Sequence, residues 1–446
     1  MNSGDVASKN RSIASSGWIL SLCVMPLLAG ACATTQVDER PADIQDALTK
    51  QMARFMANPY DAAAARDLGV LYFQDKQFVK AEETLQRATQ LNKGDAKAQF
   101  YLGMSQEYLE KKKEAVQVYA RYKDASSPPQ FASLMEGRYL ALTRELIKAE
   151  LEGLLAAEEK LVNKKLPENT VAVFPLDFHA GDEKYAPLGI GLSEMMMIDL
   201  AKVKKIRVVE RIRSEELMKE LEFGASSAVD PTTAPRLGRI LAASRVIGGS
   251  YNVSEDNSLR IDASSLEVSK QEAPKTVTES DNLDKMFSVE KDVVFNLIKD
   301  MGLSITKEER EDIQRVPTRN LQSFMAYCVG LEKERSGDYQ SASQMFRQAV
   351  TLDPGFGGAA EKVRASDAQS VASGKEKALS VASKLGVPAT KVAAEKKNAL
   401  VRNRASKLQE KIRAGFVPGG RRPAEDAFRN GATIGGLPAP PPPPGQ

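Results

Sequence analysis

The residues best suited to catalysis or metal binding lie together in one short polar stretch. Asp177, His179, Asp182 and Glu183 place the single histidine of the chain among three carboxylates. An imidazole beside a carboxylate can transfer protons or help to hold a metal ion. However, the sequence offers no second histidine and no nucleophile in a recognisable motif. We therefore interpret the stretch as a solvated polar loop and predict no catalytic residue, no metal site and no cofactor.

Two motifs that follow this stretch also invite a chemical interpretation. Gly189-x-Gly191 opens a predicted helix, where backbone N–H groups can bind a phosphate. A third small residue is missing, and the preceding strand lies about a dozen residues away, whereas the dinucleotide fingerprint needs a tight turn. Three consecutive methionines, Met195 to Met197, could suggest copper, but neighbouring helical residues point in different directions. Core packing is the favoured explanation of the methionines.

The one covalent modification that the sequence predicts is at Cys32. Lys9 and Arg11 precede an apolar segment from Trp18 to Leu28, and small residues then lead to the cysteine in Leu28-Ala-Gly-Ala-Cys32. This pattern resembles a bacterial lipobox, which implies cleavage before Cys32 and acylation of its thiol. The alternative is a plain secretory signal with an incidental cysteine.

The resemblance to lipoproteins also implies a location. Ala33 follows the cysteine, and in these families a residue other than Asp at that position implies sorting to the outer membrane. Residues 1–31 are then a signal peptide and residues 32–40 a short tether on the periplasmic face. The mature chain keeps only Cys32 and Cys328, so we expect no disulfide and a buried, structural thiol at Cys328.

Composition excludes one class of partner. The chain has 62 Lys and Arg against 59 Asp and Glu, a formal net charge of +3 over 446 residues. Nucleic-acid binding usually requires a strongly basic surface, so no nucleic-acid partner is predicted. The length predicts more than one domain, and we expect an α+β protein.

Short apolar runs alternate with helical patterns between Thr170 and Gly302. Strands are predicted at Thr170 to Leu176, Ile206 to Val209, Arg245 to Gly248 and Leu259 to Ser264, the last with one wet face. Helices are predicted from Leu188, from Arg213, from the Asp230-Pro231 cap and from Leu283 to Met301. This pattern is typical of a mixed sheet covered by helices.

Several short patterns in this region resemble the CsgG family of envelope lipoproteins and the similar TolB amino-terminal-like domains. They are Val171-Ala-Val-Phe-Pro175, Gly189-x-Gly191-Leu-x-Glu194, Val208-Val-Glu-Arg211, Leu237 to Ala243 and Val246-Ile-Gly-Gly-Ser250. The resemblance implies a CsgG-like domain over residues 166–307. CsgG secretion pores insert two long hairpins, whereas the loops Phe223 to Thr233 and Tyr251 to Ser258 are too short for membrane-crossing strands of about ten residues.

An internal repeat precedes the central domain. Leu68, Gly69 and Ala81 recur 34 positions later as Leu102, Gly103 and Ala115, which is the period of the tetratricopeptide repeat (TPR). The same register places Gly137 and Ala149 in a further copy, although no Gly, Pro or Asn marks a turn between Arg138 and Glu152. We therefore predict a TPR domain over residues 41–165, with a helix that continues past the expected turn. Tyr72 completes the predicted packing positions of the first copy.

A similar pattern follows the central domain. Gly330, Ala342, Phe346, Ala349 and Pro354 predict a TPR-like repeat over residues 317–364, which cannot bury its apolar face alone. Residues 365–415 are rich in Ala and Lys and predict thin helices, and residues 416–446 predict a disordered tail rich in Pro and Gly.

The first helices of TPR units line a concave face, so the repeat register also predicts a partner groove. Its residues are Arg66, Val70, Phe73, Phe100, Met104 and Tyr108. An aromatic groove of this kind suits a helix or an extended peptide, unless the helix from Pro41 to Asn58 fills it. For the central domain we expect contacts through the loop Phe178 to Pro187 or the helix Arg213 to Phe223.

These features together predict a non-enzymatic protein of the outer membrane. We expect it to scaffold or regulate an envelope assembly or secretion machine, with periplasmic or outer-membrane proteins as partners and with possible self-association. The alternatives are a secretion-channel component of the CsgG type, an activator of a peptidoglycan synthase, and a hydrolase or small-ligand binder. The sequence offers no constellation of residues for the last of these.

Overall fold

A computed structural model describes residues 42–125, 128–162, 164–221, 228–270 and 272–385. The predicted signal peptide, the tether, the Cys32 acylation site, the tail and most of the Ala- and Lys-rich region lie outside these residues. Within the described ranges, no helix is both long and apolar enough to cross a membrane.

The amino-terminal part is helical. Its helices are α1 (Ala42–Ala57), α2 (Ala62–Gln74), α3 (Phe78–Leu91), α4 (Ala96–Tyr108), α5 (Lys112–Tyr119) and α6 (Pro129–Ala156). The caps of α2 and α4 repeat with the sequence period, because Asp61 accepts the N–H of Ala64 and Asp95, 34 positions later, accepts the N–H of Ala98. Each carboxylate satisfies a backbone donor that the first turn of a helix leaves unpaired.

The central part is a five-stranded sheet with helices on both faces, which confirms the α+β prediction. Its elements are β1 (Thr170–Ala180), α7 (Leu188–Ala201), β2 (Arg207–Val208), α8 (Arg211–Leu221), α9 (Ala234–Ile240), β3 (Arg245–Val253), β4 (Ser258–Glu267), β5 (Lys275–Asn282) and α10 (Met286–Asp300). The strand order is β2-β1-β3-β4-β5. β1 runs parallel to both of its neighbours, whereas β4 pairs antiparallel with β3 and with β5.

Alternate residues of the strands enter two different apolar layers. Val171, Val173 and Ile247 contribute to the layer that also contains α7 and α10, whereas Ala172 and Phe174 contribute to the layer that contains α8 and α9. This is the period of two that a strand imposes on its side chains. On β4, Leu259, Ile261 and Ala263 are buried while Arg260 is exposed, so the predicted alternation is confirmed.

The structure corrects three expectations about this sheet. β1 continues to Ala180, so Asp177, Phe178 and His179 belong to a strand, although we predicted a loop. The helix predicted from Asp230 begins at Ala234, because the Asp230 carboxylate instead caps a turn by accepting the N–H of Thr232. β5 was not predicted at all: it is an edge strand in which Val277 is the one buried residue, so its sequence reads as polar.

The carboxy-terminal helices are α11 (Lys307–Gln314), α12 (Leu321–Arg335), α13 (Tyr339–Leu352), α14 (Gly357–Ala372) and α15 (Lys375–Leu385). α12 packs on α7, and Phe324, Tyr327 and Cys328 belong to the same apolar cluster as Val171 and Val173. The central domain and the carboxy-terminal repeat, α12 and α13, therefore share a core, although we predicted separate units at 166–307 and 317–364. The expected boundary after residue 364 falls inside α14, which is one continuous helix.

Candidate protein interface

Glycines allow close approach of the helices in each repeat. A Cβ atom on Gly69 would overlap Leu85, one on Gly103 would overlap Tyr119, and one on Gly330 would overlap Phe346. Each glycine therefore lets the second helix of its pair approach the backbone of the first.

The other predicted packing positions are buried, with two exceptions. Leu68, Ala81, Leu102, Ala115, Ala342, Phe346 and Ala349 are buried, and Tyr72 is half-buried. Pro354 is exposed in the turn after α13, so it does not pack; a proline there stops the helix from continuing.

The third amino-terminal repeat is completed by a helix from the other end of the chain. α6 is one continuous helix of 28 residues, which confirms that it passes the expected turn. A Cβ on Gly137 would overlap the carbonyl oxygen of Ala368 and the side chain of Ala372, both on α14. α14 thus occupies the place that α3 and α5 occupy in the first two repeats. Ala149, the expected partner position on the same stretch, is exposed.

α14 also packs on α13, so one helix joins both groups of repeats. The Ser343 hydroxyl donates to the Asp367 carboxylate at 2.6 Å, and Arg347 pairs with the same carboxylate. The amino-terminal repeats, α14 and the α12–α13 pair therefore form one continuous layer of helices.

A buried ion pair fixes the end of α14. The Arg138 side chain is 1% exposed and its Nη2 lies 2.6 Å from Oε2 of Glu107, while Nη1 donates to the backbone oxygen of Ser373 at 3.0 Å. The Tyr119 hydroxyl donates to Oε1 of Glu107 at 2.9 Å. A guanidinium at the carboxy-terminal end of a helix interacts favourably with its unpaired carbonyl groups. Arg138 therefore holds α4, α5, α6 and α14 together.

The predicted partner groove is filled from within the chain. Phe100 and Met104 are fully buried, Val70 and Phe73 are nearly so, and Arg66 and Tyr108 are half-buried. The Phe131 ring of α6 lies 5.5 Å from that of Phe100. α1 lies against α2, where Gln51 donates to the Ala64 oxygen at 3.0 Å.

α15 covers the other end of the same face. The Lys375 ammonium lies 5.0 Å from the centre of the Tyr108 ring, and Ala378 and Ala382 are buried in the cluster that contains Phe100 and Met104. The face is therefore filled from within the chain, but by α6 and α15, whereas the alternative had named the helix from Pro41 to Asn58, which lies against α2.

The helix α8, which we expected to offer a docking surface, instead contacts other helices of the chain. α8 lies between α6 and α12: Arg213 forms two 2.9 Å hydrogen bonds to Glu150 of α6, and Arg211 lies 2.7 Å from Glu334 of α12. Lys362 of α14 also pairs with Glu334 at 2.8 Å. Burial raises the pKa of Glu334, but Lys362 and Arg211 outweigh it and lower that pKa to about 2. The described part of the predicted docking helix thus forms ion pairs with other helices of the same chain.

The glycine motif at the start of α7 has a packing explanation. A Cβ on Gly189 would overlap the Leu176 oxygen of β1, and one on Gly191 would overlap the Cys328 sulfur of α12. The Gly189 N–H donates to the Tyr251 hydroxyl at 3.1 Å, which in turn donates to the Ala186 oxygen at 2.7 Å. The two glycines bring α7 close to the sheet on one side and to α12 on the other.

The remaining candidates for chemistry lie apart or are buried. His179 is exposed at the end of β1, and Asp182 pairs with Lys184 at 2.9 Å in the loop that follows. Met195, Met196 and Met197 are all buried, and burial raises the pKa of the Cys328 thiol. The ranges described contain no group of three or more His, Cys, Asp and Glu that could hold a metal ion. Met195, Met196, Met197 and Cys328 thus lie in the core, whereas His179 and Asp182 lie at the surface.

In this fold the repeat helices form one layer that packs on an α/β domain. Helical repeats of this kind are typical of proteins that bind other proteins. Residues 160–258 match the family model described as the curli production assembly/transport component CsgG, and residues 329–356 match the tetratricopeptide repeat. The chain thus carries a CsgG-like domain flanked by TPR segments. No match is found among curated proteins. The CsgG match ends at the start of β4, so most of β4, β5 and α10 extend the domain beyond it.

Proposed function

We propose that this chain is a non-enzymatic scaffold of the bacterial envelope, anchored to the periplasmic face of the outer membrane through acylated Cys32. The CsgG and TPR domains indicate protein–protein interaction in an envelope or secretion context. Its partners are then periplasmic or outer-membrane proteins of an assembly or secretion machine. The resemblance to the CsgG family, whose members are envelope lipoproteins, supports the location.

The observation that carries the proposal is the sharing of α14 between both groups of repeats. Since α14 packs on α6 and on α13, and α12 packs on α7, partners bound to the repeats and to the sheet domain are held at fixed relative positions. A scaffold needs this property, whereas an enzyme needs convergent reactive groups. Several apolar side chains also remain exposed near the amino-terminal end of the repeats: Met56 on α1, Tyr60 in the following turn at 76% exposure, and Val79 on α3. Exposed apolar groups of this kind are suited to contact another protein.

The anchor is tested by Cys32→Ser in the full chain, with Cys23→Ser as the matched control. We expect the Cys32 variant to remain unprocessed or to leave the outer-membrane fraction, because no thiol is available for acylation. The Cys23 variant should be processed and sorted like the parent. Normal processing and sorting of Cys32→Ser would contradict the lipid anchor.

The scaffold is tested by photo-crosslinking in intact cells from Tyr60, Val79 and, on the sheet domain, exposed Ile198. We expect discrete adducts with envelope proteins from the repeat and from the sheet domain. The buried position Phe100 serves as a control that should give adducts only within the chain. If all three exposed positions gave no intermolecular adduct, the scaffold proposal would be wrong.

A further inference from the structure

One end of the sheet carries a strongly charged groove that none of the interactions above explains. Two adjoining cavities, of about 1310 and 540 Å³, share Lys165, Leu166 and Glu168 in their walls. They lie where β1, β2 and β3 begin and where β4 turns into β5. We call this surface the basic groove. Its basic residues are Lys164, Lys165, Lys204, Lys205, Arg207, Arg239, Arg245 and Lys270.

The basic groove has a net positive charge, whereas residues 42–385 as a whole have a net negative charge. Its eight Lys and Arg face three glutamates, Glu168, Glu267 and Glu272, a surplus of five positive charges. Residues 42–385 together contain 48 Lys and Arg against 52 Asp and Glu, a net charge of −4. The positive charge is therefore concentrated in one concave place. A cleft lined by one sign of charge focuses the electric field and attracts ligands of the opposite sign.

Most of these cations have no partner within the described ranges. No carboxylate there lies within 4.0 Å of the side-chain nitrogen atoms of Lys164, Lys165, Lys205, Arg207 or Arg239. By contrast, Arg245 and Lys270 each lie 3.0 Å from Glu267. The Lys204 backbone N–H donates to Glu309 at 2.9 Å, and the charge of Lys204 helps to lower the pKa of that carboxyl. The unpaired cations are thus available to an external anion.

The shape and the apolar walls indicate what kind of anion fits. Leu166 and Met301 are partly exposed in the wall of the larger cavity, Leu266 and Val268 lie beneath them at 2% and 6% exposure, and Val162 is 61% exposed. An apolar floor between cations suits a chain that alternates carboxylates with apolar side chains. A flat lipid surface would not reach the floor of a concave groove.

We propose that the basic groove binds an extended acidic segment of a protein partner. Carboxylates of the segment pair with Lys165, Lys205 and Arg207, and its apolar side chains lie on Leu166 and Met301. The chain's own residues 386–446 do not fit, since they carry eleven Lys and Arg against four Asp and Glu. The proposal rests on the proposed function, in that it names the chemistry of one partner and the surface that receives it.

The test uses the full chain and two short fluorescein-labelled peptides in which leucine and serine alternate with glutamate or, in the control peptide, with glutamine. We expect the glutamate peptide to bind, with an affinity that falls as salt is added, and the glutamine peptide not to bind. Lys165→Glu with Lys205→Glu should weaken binding by about tenfold or more, because both side chains are exposed and unpaired. Lys93→Glu with Lys333→Glu, also exposed but distant from the groove, should bind like the parent.

Three outcomes would overturn the proposal. The first is equal binding of both peptides, or equal binding by parent and Lys165→Glu/Lys205→Glu. The second is co-flotation with vesicles containing anionic phospholipid that is lost in this variant, without peptide binding, which would assign the groove to a membrane surface. The third is self-association of the parent that the variant lacks, in sedimentation velocity. None of these affects crosslinks from Tyr60 and Val79, so failure here is distinguishable from failure of the scaffold proposal.

Discussion

Arg138 shows how a single buried charge connects parts of the chain that are far apart in sequence. It pairs with Glu107 and donates to the oxygen of Ser373, 235 positions later. Replacing it by methionine keeps much of the volume but leaves the Glu107 carboxylate buried without its cation. We expect Arg138→Met to lower the free energy of unfolding by about 3–5 kcal/mol, measured by urea denaturation of the full chain.

Two further variants separate this effect from a general loss of packing. Adding Glu107→Gln to Arg138→Met removes the uncompensated charge while keeping an acceptor for Tyr119, so it should recover part of the stability. Lys285→Met breaks an exposed pair with Asp281 and should cost less than about 1 kcal/mol. Equal losses from Arg138→Met and Lys285→Met would show that the buried pair does not stabilise the joint.

Glu290 predicts a dependence of stability on pH. It is fully buried beside Lys291, which also pairs with Asp199, and burial raises the pKa of Glu290 to about 8. Because this value lies above that of the unfolded chain, about 4.3, folding requires an extra proton between the two pKa values. The resulting destabilisation is absent at low pH, grows as the pH rises from about 4.3, and is complete above about 8.

Glu290→Gln removes this titration and keeps an oxygen for Lys291. We expect the variant to melt at a higher temperature than the parent at pH 8, with the gain shrinking as the pH is lowered toward 5. Asp292→Asn, an exposed change on the same helix, is the control and should show no such trend. A gain for Glu290→Gln that is the same at pH 5 and pH 8 would contradict the assignment.

At the residue scale, the sequence predicted which glycines lie at helix contacts but not which charged side chains are buried. Gly69, Gly103 and Gly330 repeat at positions that the TPR period marks, and a close helix contact needs a glycine there. Arg138 and Glu107 were missed because Lys and Arg are mostly exposed, so nothing in the pattern separates a buried arginine from a solvated one. Their signal is their place in the register: Glu107 follows Gly103 by four residues and Arg138 directly follows Gly137.

Among the elements, α7 depends on its first glycines for its place between the sheet and α12. A methyl group on Gly191 would overlap the Cys328 sulfur and approach the Phe324 ring. We expect Gly191→Ala to destabilise the chain by about 1–3 kcal/mol in thermal or urea unfolding, because α7 and α12 must separate. Cys328→Ala should partly rescue it by removing the sulfur.

Gly153 provides the matched control for this prediction. It lies in the helix α6, and a Cβ there would meet no atom within 4 Å. Gly153→Ala should therefore be neutral or stabilise the chain by up to about 1 kcal/mol, the intrinsic helix preference. If Gly191→Ala behaved like Gly153→Ala, close packing on α12 would not explain the glycine motif.

The burial of Phe100 predicts that Phe100→Ala lowers stability. Because Phe100 is 0% exposed and its ring lies beside Phe131, the substitution should create a cavity and cost about 3–5 kcal/mol. Val79→Ala, at an exposed position on α3 of the preceding repeat, should change stability little. A nearly unchanged melting temperature for Phe100→Ala would restore the interpretation of an open partner groove.

Helices and strands with a regular apolar period could be predicted from the sequence, whereas elements without such a period could not. The helices of the first two repeats and the strands β1, β3 and β4 follow from apolar periodicity. β5 was not predicted because an edge strand needs few apolar residues. The domain boundary predicted after residue 364 divides α14, because the small residues of this helix do not indicate a core. The partners of α14 supply its apolar contacts, which no local pattern reveals.

For the whole molecule, the sequence order and the spatial order of the repeats differ. Gly137 packs on Ala368 and Ala372, so the sheet domain and the carboxy-terminal repeat are inserted between the two helices of one packing unit, α6 and α14. Sequence periodicity describes neighbours along the chain and cannot pair helices separated by more than two hundred residues. The domain limits predicted at residues 166–307 and 317–364 missed this arrangement, because α12 buries its apolar face on α7.

The same arrangement predicts that two fragments will assemble. A cut in the exposed linker after Arg315 separates residues 32–315 from 316–446 and removes α12, α13, α14 and α15 from their partners. Each fragment alone exposes an apolar face, so we expect each to aggregate or to bind a hydrophobic dye. Produced together, they should co-purify in equal amounts and melt cooperatively, because α12 returns to α7 and α14 to α6.

Arg138→Met in the first fragment provides the test of specificity, since it removes the contact with the end of α14. We expect it to weaken the association of the fragments, whereas Lys285→Met at the exposed pair should leave it unchanged. Fragments that are folded and soluble by themselves, or that do not associate when produced together, would show that the carboxy-terminal repeat is an independent unit and that α14 does not complete the third amino-terminal repeat.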